Sequence, residues 1–550
     1  MLSGRAGECP PCPTDDDMKQ TILRYELPLA LAALAAVAVW LALAVTAQAH
    51  ANLARATPEP GSVVQTAPAR VTGWFTETME PAFSKMQVLD SSGARVDLDD
   101  SGVDASDATS MSVGLPDGLP NGTYAVVWNN LSTVDGHTLR GAFVFHIGEP
   151  SGGAAVELDS EPPLLQSQAD PFVRWLVLLG AFAAIGGAGF YLLVAGPVLT
   201  GKRAEPAFRE TGRMLARRSA QLGAGGVALL LAASIGQLVL QAIKLDSGVG
   251  TVIGGTEWGA LWASRVGLGV AMGVALVVLA RGRPSRRAGT PTMATVAALA
   301  LGVGLLLTVS LASHAAALRE ARSAAIFSDF LHLAATALWV GGLMHLALSG
   351  LLLLRHVPES MRTAMLARVV PRFSVLAVLC VGTLVVTGIF AAWAQVSSPG
   401  AVATPYGWTL VAKTALVAPL FALGAANLLF TTPRLAKGRD GDAWLRRLVA
   451  GEVALAVLAL LAVGYLTSME PARQTAARAA QEAGTRYEET AQGTRVSAEV
   501  SPGRVGVNTL EVTLRDVLDR PITNASPVRA RITYLDQDLG SEFQDLTNAG

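Results

Sequence analysis

Eight long apolar stretches constrain the fold of this chain more than any other feature. Each contains about 20 residues with few charges, which is enough for a helix to cross a hydrocarbon core about 30 Å thick. Only 15% of the 550 residues are charged, well below the roughly 25% of an average soluble domain. The pattern predicts an integral membrane domain over residues 172–471, with an all-α bundle of eight transmembrane helices near 172–199, 217–243, 260–280, 292–313, 325–354, 371–396, 409–431 and 450–468.

Positive charges between these stretches predict their orientation. The loops after the first, third, fifth and seventh stretches are rich in Lys and Arg, whereas the intervening loops contain only Lys244, Arg319 and Arg322. Short cationic loops remain in the cytoplasm. We therefore expect a multi-pass membrane protein with both flanking regions on the extracytoplasmic side. The balance of 42 Lys and Arg against 43 Asp and Glu argues against a nucleic-acid partner.

Residues 1–49 have the order of an N-terminal extension followed by a secretory signal. After Met18, two cations precede an apolar run over residues 27–45, and small residues follow at 47–49. Cleavage there would make His50 the first mature residue. An uncleaved anchor helix is the alternative, because the run is longer than the usual h-region of about 7–15 residues. The acidic segment before Met18 does not suit a signal, so Met18 is an alternative translation start to Met1.

The regions on either side of the membrane domain have the alternation of β structure. Between residues 50 and 148, short apolar and polar alternations are separated by Gly, Pro, Asn and Asp, which is typical of half-buried strands. About 100 such residues predict an all-β sandwich, with one core between two sheets. Residues 149–171 are expected to form a linker and residues 472–494 a connector. Alternation returns over 495–550, a β-rich module expected to be truncated because a typical sandwich needs about 100 residues.

The strongest candidate for chemistry is the predicted turn Asp135-Gly136-His137. With the terminal amine and imidazole of His50, the Asp135 carboxylate and the His137 imidazole would supply three nitrogens and one oxygen. Tetragonal sets of this kind suit Cu(II), which also heads the divalent affinity series. Gly136 lets both flanking side chains turn toward one point. Asp-Gly is a common turn dipeptide, so an ordinary surface turn is the alternative.

Ionisable side chains within the membrane domain form the second group of candidates, because burying them in a bilayer is costly. His314 ends the fourth stretch, and Asp329 and His332 share one face of the fifth. At 1.5 Å per residue, His345 lies about 20 Å deeper than His332. We therefore predict an ion path from His314, Asp329 and His332 near the outer surface to His345 and Glu452 nearer the cytoplasm. Interhelical hydrogen bonding is the alternative role of His332 and His345.

Several motifs follow one another in a specific order before residue 148. They are His50-Ala51-X-Leu53, Pro58-X-Pro60-Gly61, Ala67-Pro68, Phe75-Thr76-Glu77 and Trp128-X-X-X-Ser132-X-X-Asp135-Gly136-His137-X-X-X-Gly141-X-Phe143-X-Phe145. This order resembles the CopC periplasmic copper-binding family along its whole length. The resemblance implies a Greek-key sandwich that binds Cu(II) through His50, Asp135 and His137. It places Glu77 and Glu80 beside the site without direct bonds to the ion.

A second set of motifs lies in the membrane domain. Besides Ser313-His314-Ala315, Asp329-X-X-His332 and Trp339-X-Gly341-Gly342-Leu343, it includes Gly259-X-X-Trp262-X-X-Arg265, Arg372-Phe373-Ser374, Thr387-Gly388, Tyr406-Gly407-X-X-Leu410-X-X-Lys413 and Asn427. Over residues 172–471 these motifs resemble the CopD family of copper-resistance and copper-uptake membrane proteins. Arg265 and Lys413 are expected to cap helices or to extend toward the outer interface. A CopC-like domain ahead of a CopD-like domain is an arrangement known for these families.

The two resemblances predict a copper-handling protein of the bacterial cytoplasmic membrane that is not an enzyme. The outer domain would capture Cu(II) and pass copper to the bundle for import, with copper ions and the lipid bilayer as partners. No Gly-X-X-X-X-Gly-Lys-Ser/Thr loop occurs in the cytoplasmic segments, so a gradient or a handover would drive transport. Sequestration for resistance, or delivery to a copper chaperone or cuproenzyme, is the first alternative. A b-type haem electron carrier with His314 and His332 as ligands is the second.

Overall fold

A β-sandwich, a helical bundle and a second β module follow one another along the chain. The computed structural model describes residues 52–134, 136–148, 164–201, 205–281, 293–318, 321–351, 354–355, 357–396, 399–436, 442–473, 475, 485–491, 493–501, 509–516, 518–523, 525, 528–533 and 541–547. The predicted fold class, an all-β domain ahead of an all-α membrane domain and a C-terminal β module, is confirmed.

The N-terminal domain consists of two four-stranded sheets. One sheet has the order β1 (Leu53–Thr57), β3 (Arg70–Phe75), β6 (Ser110–Gly114) and β5 (Gly102–Val103). The other has the order β2 (Val63–Val64), β8 (Thr138–Ile147), β7 (Gly122–Leu131) and β4 (Lys85–Leu89). Most neighbours within a sheet are not consecutive in the chain, as in a Greek-key sandwich. Alternate side chains of the strands, among them Val71, Met86, Val88 and Phe145, form the core between the sheets.

The antiparallel pair β7–β8 places the candidate turn at one end of the sandwich. The pairing runs from Gly122 opposite Ile147 to Leu131 opposite Thr138. The six residues between the strands therefore project from the edge of the sheet. This segment includes the Asp135-Gly136-His137 motif, of which Gly136 and His137 lie within the described residues.

Eight helices of the described chain are long and apolar enough to cross a membrane, which confirms the predicted number. The α-helices are α1 (Leu164–Gly189), α2 (Arg209–Lys244), the short α3 (Val249–Gly255), α4 (Glu257–Arg281), α5 (Met293–Leu311), α6 (Arg322–Thr336), α7 (Glu359–Gln395), α8 (Pro405–Ala426) and α9 (Asp442–Leu466). Their buried side chains form a core separate from that of the sandwich. Large apolar residues such as Ile243, Val274 and Ile389 point outward and are more than half exposed, as expected for a surface facing lipid.

Three of the spans contain π-helical turns. These turns are Phe190–Ala195 after α1, Ala337–Gly341 and Leu346–Leu351 after α6, and Asn427–Thr431 after α8. Short α-helical segments continue the spans at Gly196–Leu199, Gly342–His345 and Thr432–Ala436. A π turn widens the helix by one residue per turn and occurs frequently at functional sites.

Glycines allow the first and fifth spans to approach backbone to backbone. A Cβ placed on Gly186 would lie 2.3 Å from the carbonyl carbon of Gly341, and one on Gly341 would lie 2.1 Å from the carbonyl oxygen of Phe182. Small residues at helix interfaces permit this approach in membrane proteins. The contact brings the π turn at Ala337–Gly341 against the C-terminal part of α1.

Two elements begin within segments that the sequence assigns to connections between domains. Helix α1 begins at Leu164, within the expected linker 149–171. Ion pairs from Asp170 to Arg174 and to Lys244 stabilise this early part of the helix. Strand β9 (Thr485–Ala491) lies within the expected connector 472–494. Its polar sequence contains little alternation, and its strand character comes from pairing with β10.

The C-terminal module contains two separate β units among the described residues. Strand β10 (Thr494–Ser501) pairs antiparallel with β9 on one side and with β11 (Thr509–Arg515) on the other. Gly493 has a φ of +78° and closes the turn between β9 and β10. Strands β12 (Val528–Thr533) and β13 (Ser541–Leu546) form a hairpin.

Candidate functional site at the domain interface

The predicted copper ligands of the sandwich are described only in part. His50 and Asp135 lie outside the described residues, whereas His137 immediately precedes β8. Gly136 has a φ of +70°, a left-handed conformation that favours glycine. Within the described residues, no group of three or more His, Cys, Asp or Glu side chains forms a metal site. The predicted set His50, Asp135 and His137 therefore stays a prediction.

Hydrogen bonds around Ser132 hold the turn in shape. The hydroxyl of Ser132 donates to Oε2 of Glu77 at 2.5 Å and accepts from the backbone N–H of Val134 at 3.1 Å. The backbone N–H of Gly136 donates to the carbonyl of Ser132, and that of Ser132 donates to the carbonyl of His137. Glu77 is only 2% exposed. Its carboxylate therefore acts on the turn through Ser132, as a positioning group.

The turn rests on the helical bundle rather than in open solvent. Nε2 of Gln241, near the end of α2, donates a 2.9 Å hydrogen bond to the carbonyl of Gly136. Trp258, in the first turn of α4, packs directly beneath that glycine, because a Cβ on Gly136 would lie 2.7 Å from its Cδ1. The bundle thus contacts the residue next to His137 from two helices.

His137 of the sandwich stacks on His314 of the bundle. Their ring centroids are 5.2 Å apart and the ring planes differ by 19°. His314 follows α5 and is 9% exposed. The sequence places these two residues in different predicted sites, and the structure brings them together.

Glu80 forms a second contact between the domains. Its Oε1 accepts a 2.6 Å hydrogen bond from the backbone N–H of Glu257, the first residue of α4. Burial raises the pKa of Glu80; the bond from the Glu257 N–H opposes this shift, and the negative charge of Glu257 adds to it. A carboxylate at a helix N-terminus is attracted by the free N–H groups and by the helix dipole. In this position Glu80 binds the bundle.

The outer members of the predicted membrane path lie close together. The hydroxyl of Ser313, next to His314, donates to Oδ2 of Asp329 at 3.2 Å. Asp329 and His332 are one helical turn apart on α6, and both interact electrostatically with Lys413 of α8. This brings His314, Asp329 and His332 to one end of the bundle, below the docked sandwich.

His332 has a defined tautomer. Its Nδ1 is 2.9 Å from Oγ1 of Thr387, whose hydroxyl donates to the carbonyl of Thr383 at 2.7 Å. Because a hydroxyl has a single proton, Oγ1 of Thr387 accepts from Nδ1–H of His332. The lone pair of His332 is therefore on Nε2, the form in which an imidazole binds a metal ion.

The inner members of the path have interhelical partners. Nε2–H of His345 donates to the carbonyl of Ala183 at 2.7 Å, and Gly187 of α1 packs against the ring. The amide of Asn427 donates to Oε1 of Glu452. His345 and Glu452 are 1% and 3% exposed. These contacts link helices of the bundle, as expected for the alternative role of His345, and its place in the path stays a prediction.

Some residues at the interface carry no local sequence signal. Gln241 and Trp258 belong to helices that the sequence predicts, but their contact with Gly136 depends on how the two domains pack. Arg265 is 5% exposed and points toward Gln237 and Thr308, each at 3.4 Å, so it is enclosed by helices rather than extended toward water. The motif containing Arg265 indicated an important position but not this environment.

The fold and the interface define a class of protein: a β-sandwich docked by a candidate metal-binding turn onto an eight-helix membrane domain. The CopC domain model matches residues 53–148, and the model for copper resistance protein D matches residues 367–466. The chain belongs to the CopC/CopD copper-resistance family as a fusion of both domains, and it is a copper-related multi-pass membrane protein.

Individual relatives cover different parts of the chain. The copper transport protein CutJ of Bacillus subtilis is 27% identical over 503 residues, which are 88% of this chain and 85% of CutJ. Protein YobA of Escherichia coli K12 is 30% identical over 125 residues, which are 23% of this chain and 94% of YobA. The crystal structure of CopC from Methylosinus trichosporium OB3b has 30% sequence identity to this chain. The match covers 19% of this chain and 98% of the CopC chain, with a TM-score of 0.17.

Proposed function

We propose that the protein captures Cu(II) outside the cytoplasmic membrane through His50, Asp135 and His137, and passes copper to His314 of the bundle for import. The observation that carries this proposal is the stacking of His137 on His314 at a centroid distance of 5.2 Å. An ion bound by the first imidazole needs only a rotation of the two rings to reach the second.

The chemistry of the handover is ligand exchange. The terminal amine, two imidazoles and a carboxylate form a ligand set suited to Cu(II). Replacing the His137 imidazole by the His314 imidazole exchanges one nitrogen ligand for a chemically equal one, so the bound ion is not left without a ligand. Asp329 and His332 then offer a carboxylate and the Nε2 of a neutral imidazole one step deeper in the bundle.

The name of CutJ supports transport, because that relative is called a copper transport protein and aligns with 88% of this chain. The docked sandwich supports direct transfer, since a domain that only sequestered copper would not need its ligand turn against a histidine of the membrane domain. Both observations favour transport through the bundle over storage outside the membrane.

The test compares cellular copper in cells that express the wild type, His137→Ala or His314→Ala at equal levels. We expect the wild type to raise cytoplasmic copper. Each of the two variants should raise it less than the wild type, and by similar amounts. His356→Ala, a histidine that the sequence places in the loop after the fifth span, is the matched control and should behave as the wild type. If expression of the wild type instead lowers cytoplasmic copper, the proposal of import is wrong and sequestration is supported.

A further inference from the structure

The imidazole nitrogens of the ligand turn are closed to external water in the docked arrangement. Both ring nitrogens of His137, and both of His314, have less than 1 Å² of exposed surface. Gly136 is buried, and its neighbours Trp258 and Gln241 are only 5% and 7% exposed. An aqueous copper ion therefore cannot reach the imidazole nitrogens of His137 while the sandwich is seated on the bundle.

The hydrogen bonds that hold the sandwich on the bundle can break and form again. Glu80 accepts one hydrogen bond from α4, and Gly136 accepts one from Gln241. The Trp258 ring and the His314 ring add packing contacts to these bonds. A single hydrogen bond changes an equilibrium by roughly a factor of ten, so the loss of either bond shifts the balance between the seated and lifted arrangements only moderately.

We propose that the interface is a releasable dock: the sandwich loads copper when it is lifted from the bundle and delivers it when it is seated, and Glu80 secures the seated position. This inference rests on the proposed function, because it concerns how the same turn exchanges between capture and delivery. It makes Glu80 a docking residue, rather than a group that serves the ion directly.

The position of Glu80 supports this role. Its side chain is 5% exposed and its carboxylate lies against the first N–H of α4, where a negative charge is favoured. Removal of the carboxylate from water costs free energy and raises the pKa of Glu80, which offsets part of the attraction. The contact is thus specific in geometry and moderate in strength, as a dock that must open requires.

The experiment measures the rate of Cu(II) binding to the purified full-length protein in lipid nanodiscs, over increasing free Cu(II) concentrations. If loading needs the lifted state, the observed rate levels off at the rate of lifting. Glu80→Ala and Gln241→Ala should each raise this plateau, by up to about tenfold when the lost hydrogen bond is already broken in the transition state for lifting. Glu59→Ala removes an exposed carboxylate elsewhere on the sandwich and should leave the plateau unchanged.

Two other results would overturn the inference. A rate that rises linearly to the highest concentration and is the same in all variants would show that copper reaches the turn in the seated state. An absence of Cu(II) binding in the wild type would overturn the proposed function as well, so the two failures are distinguishable. Glu80 and Gln241 lie in different domains, and a folding defect in one variant leaves the other as an independent test.

Discussion

At the scale of single residues, His137 is where the candidate metal-binding turn contacts the bundle. Its neighbours in the turn are held by Ser132 and Glu77, while its ring faces His314. The residue types alone indicated a metal site. The partner in the bundle depends on the fold, because the two histidines belong to domains with separate cores.

We predict that Asp135→Ala and His137→Ala each weaken Cu(II) binding without unfolding the sandwich. Each substitution removes one ligand from a turn that lies outside the core formed by residues such as Val71 and Phe145. The loss should exceed the roughly 10–100-fold that results from removing a partner of a metal ligand. A competitive Cu(II) titration measures the affinity, and far-ultraviolet circular dichroism measures the fold.

The same titration tests His50. A protein with one extra residue ahead of His50 loses the free amine at that position and should bind Cu(II) less tightly than the protein that begins at His50. Equal affinities of both forms, or an unchanged affinity of the His137→Ala variant, would reject the predicted ligand set.

We predict that His332→Ala reduces copper movement while membrane insertion stays intact. The Nε2 of His332 is the available metal-binding atom, since Nδ1–H is bonded to Thr387. Thr387→Val removes that bond but keeps the imidazole, and it should reduce uptake less than His332→Ala. Copper uptake into proteoliposomes is the measurement. Wild-type uptake by the His332→Ala variant would assign this histidine a structural role between helices.

At the scale of elements, the fifth span consists of α6 and the π turns after it. It contains residues of the predicted ion path and also a close packing contact within the bundle. Asp329 and His332 lie in α6, and Gly341 contacts α1 from the π turn that follows α6. Hydropathy predicts such a span, because about 20 apolar residues suffice for a helix. It cannot predict the π turns, since an extra residue in a turn leaves the apolar composition of the span unchanged.

We predict that Gly341→Ala destabilises the bundle. A Cβ at this position would lie 2.1 Å from the carbonyl oxygen of Phe182, so α1 and α6 would have to separate. Overpacking of this kind costs about 1–3 kcal/mol. The melting temperature in detergent should fall accordingly. Gly225→Ala in α2 is the matched control, because no atom lies within 4 Å of its added Cβ, and it should melt at or above the wild-type temperature. Equal melting of both variants would contradict the close contact.

At the scale of the whole molecule, the charge pattern predicts which side of the membrane each domain occupies. The docked sandwich contacts the end of α2, the start of α4 and the segment after α5. These are the ends that the cationic loops assign to the extracytoplasmic side. One orientation of the molecule therefore satisfies both the loop charges and the contacts.

Cysteine labelling in intact cells tests this orientation, in a protein without its native cysteines. Asp117→Cys in the sandwich and Arg213→Cys at the opposite end of the bundle both place an exposed thiol. A membrane-impermeant maleimide should modify the cysteine at 117 in intact cells and the one at 213 only after permeabilisation. The reverse labelling pattern would show that the topology is inverted, and it would reject capture of copper from outside the membrane.

The amino-acid sequence by itself determined the number of spans, the order of the domains and the candidate ligands. These features depend on local properties, because burial in lipid needs runs of apolar residues and half-buried strands need alternation. Only the tertiary structure decided which of the candidates meet. Glu80 and Glu257 are 177 residues apart in the chain, and their contact, like that of His137 with His314, arises where two independently packed domains touch. Contacts of this kind depend on the shape of both surfaces, and no local pattern encodes them.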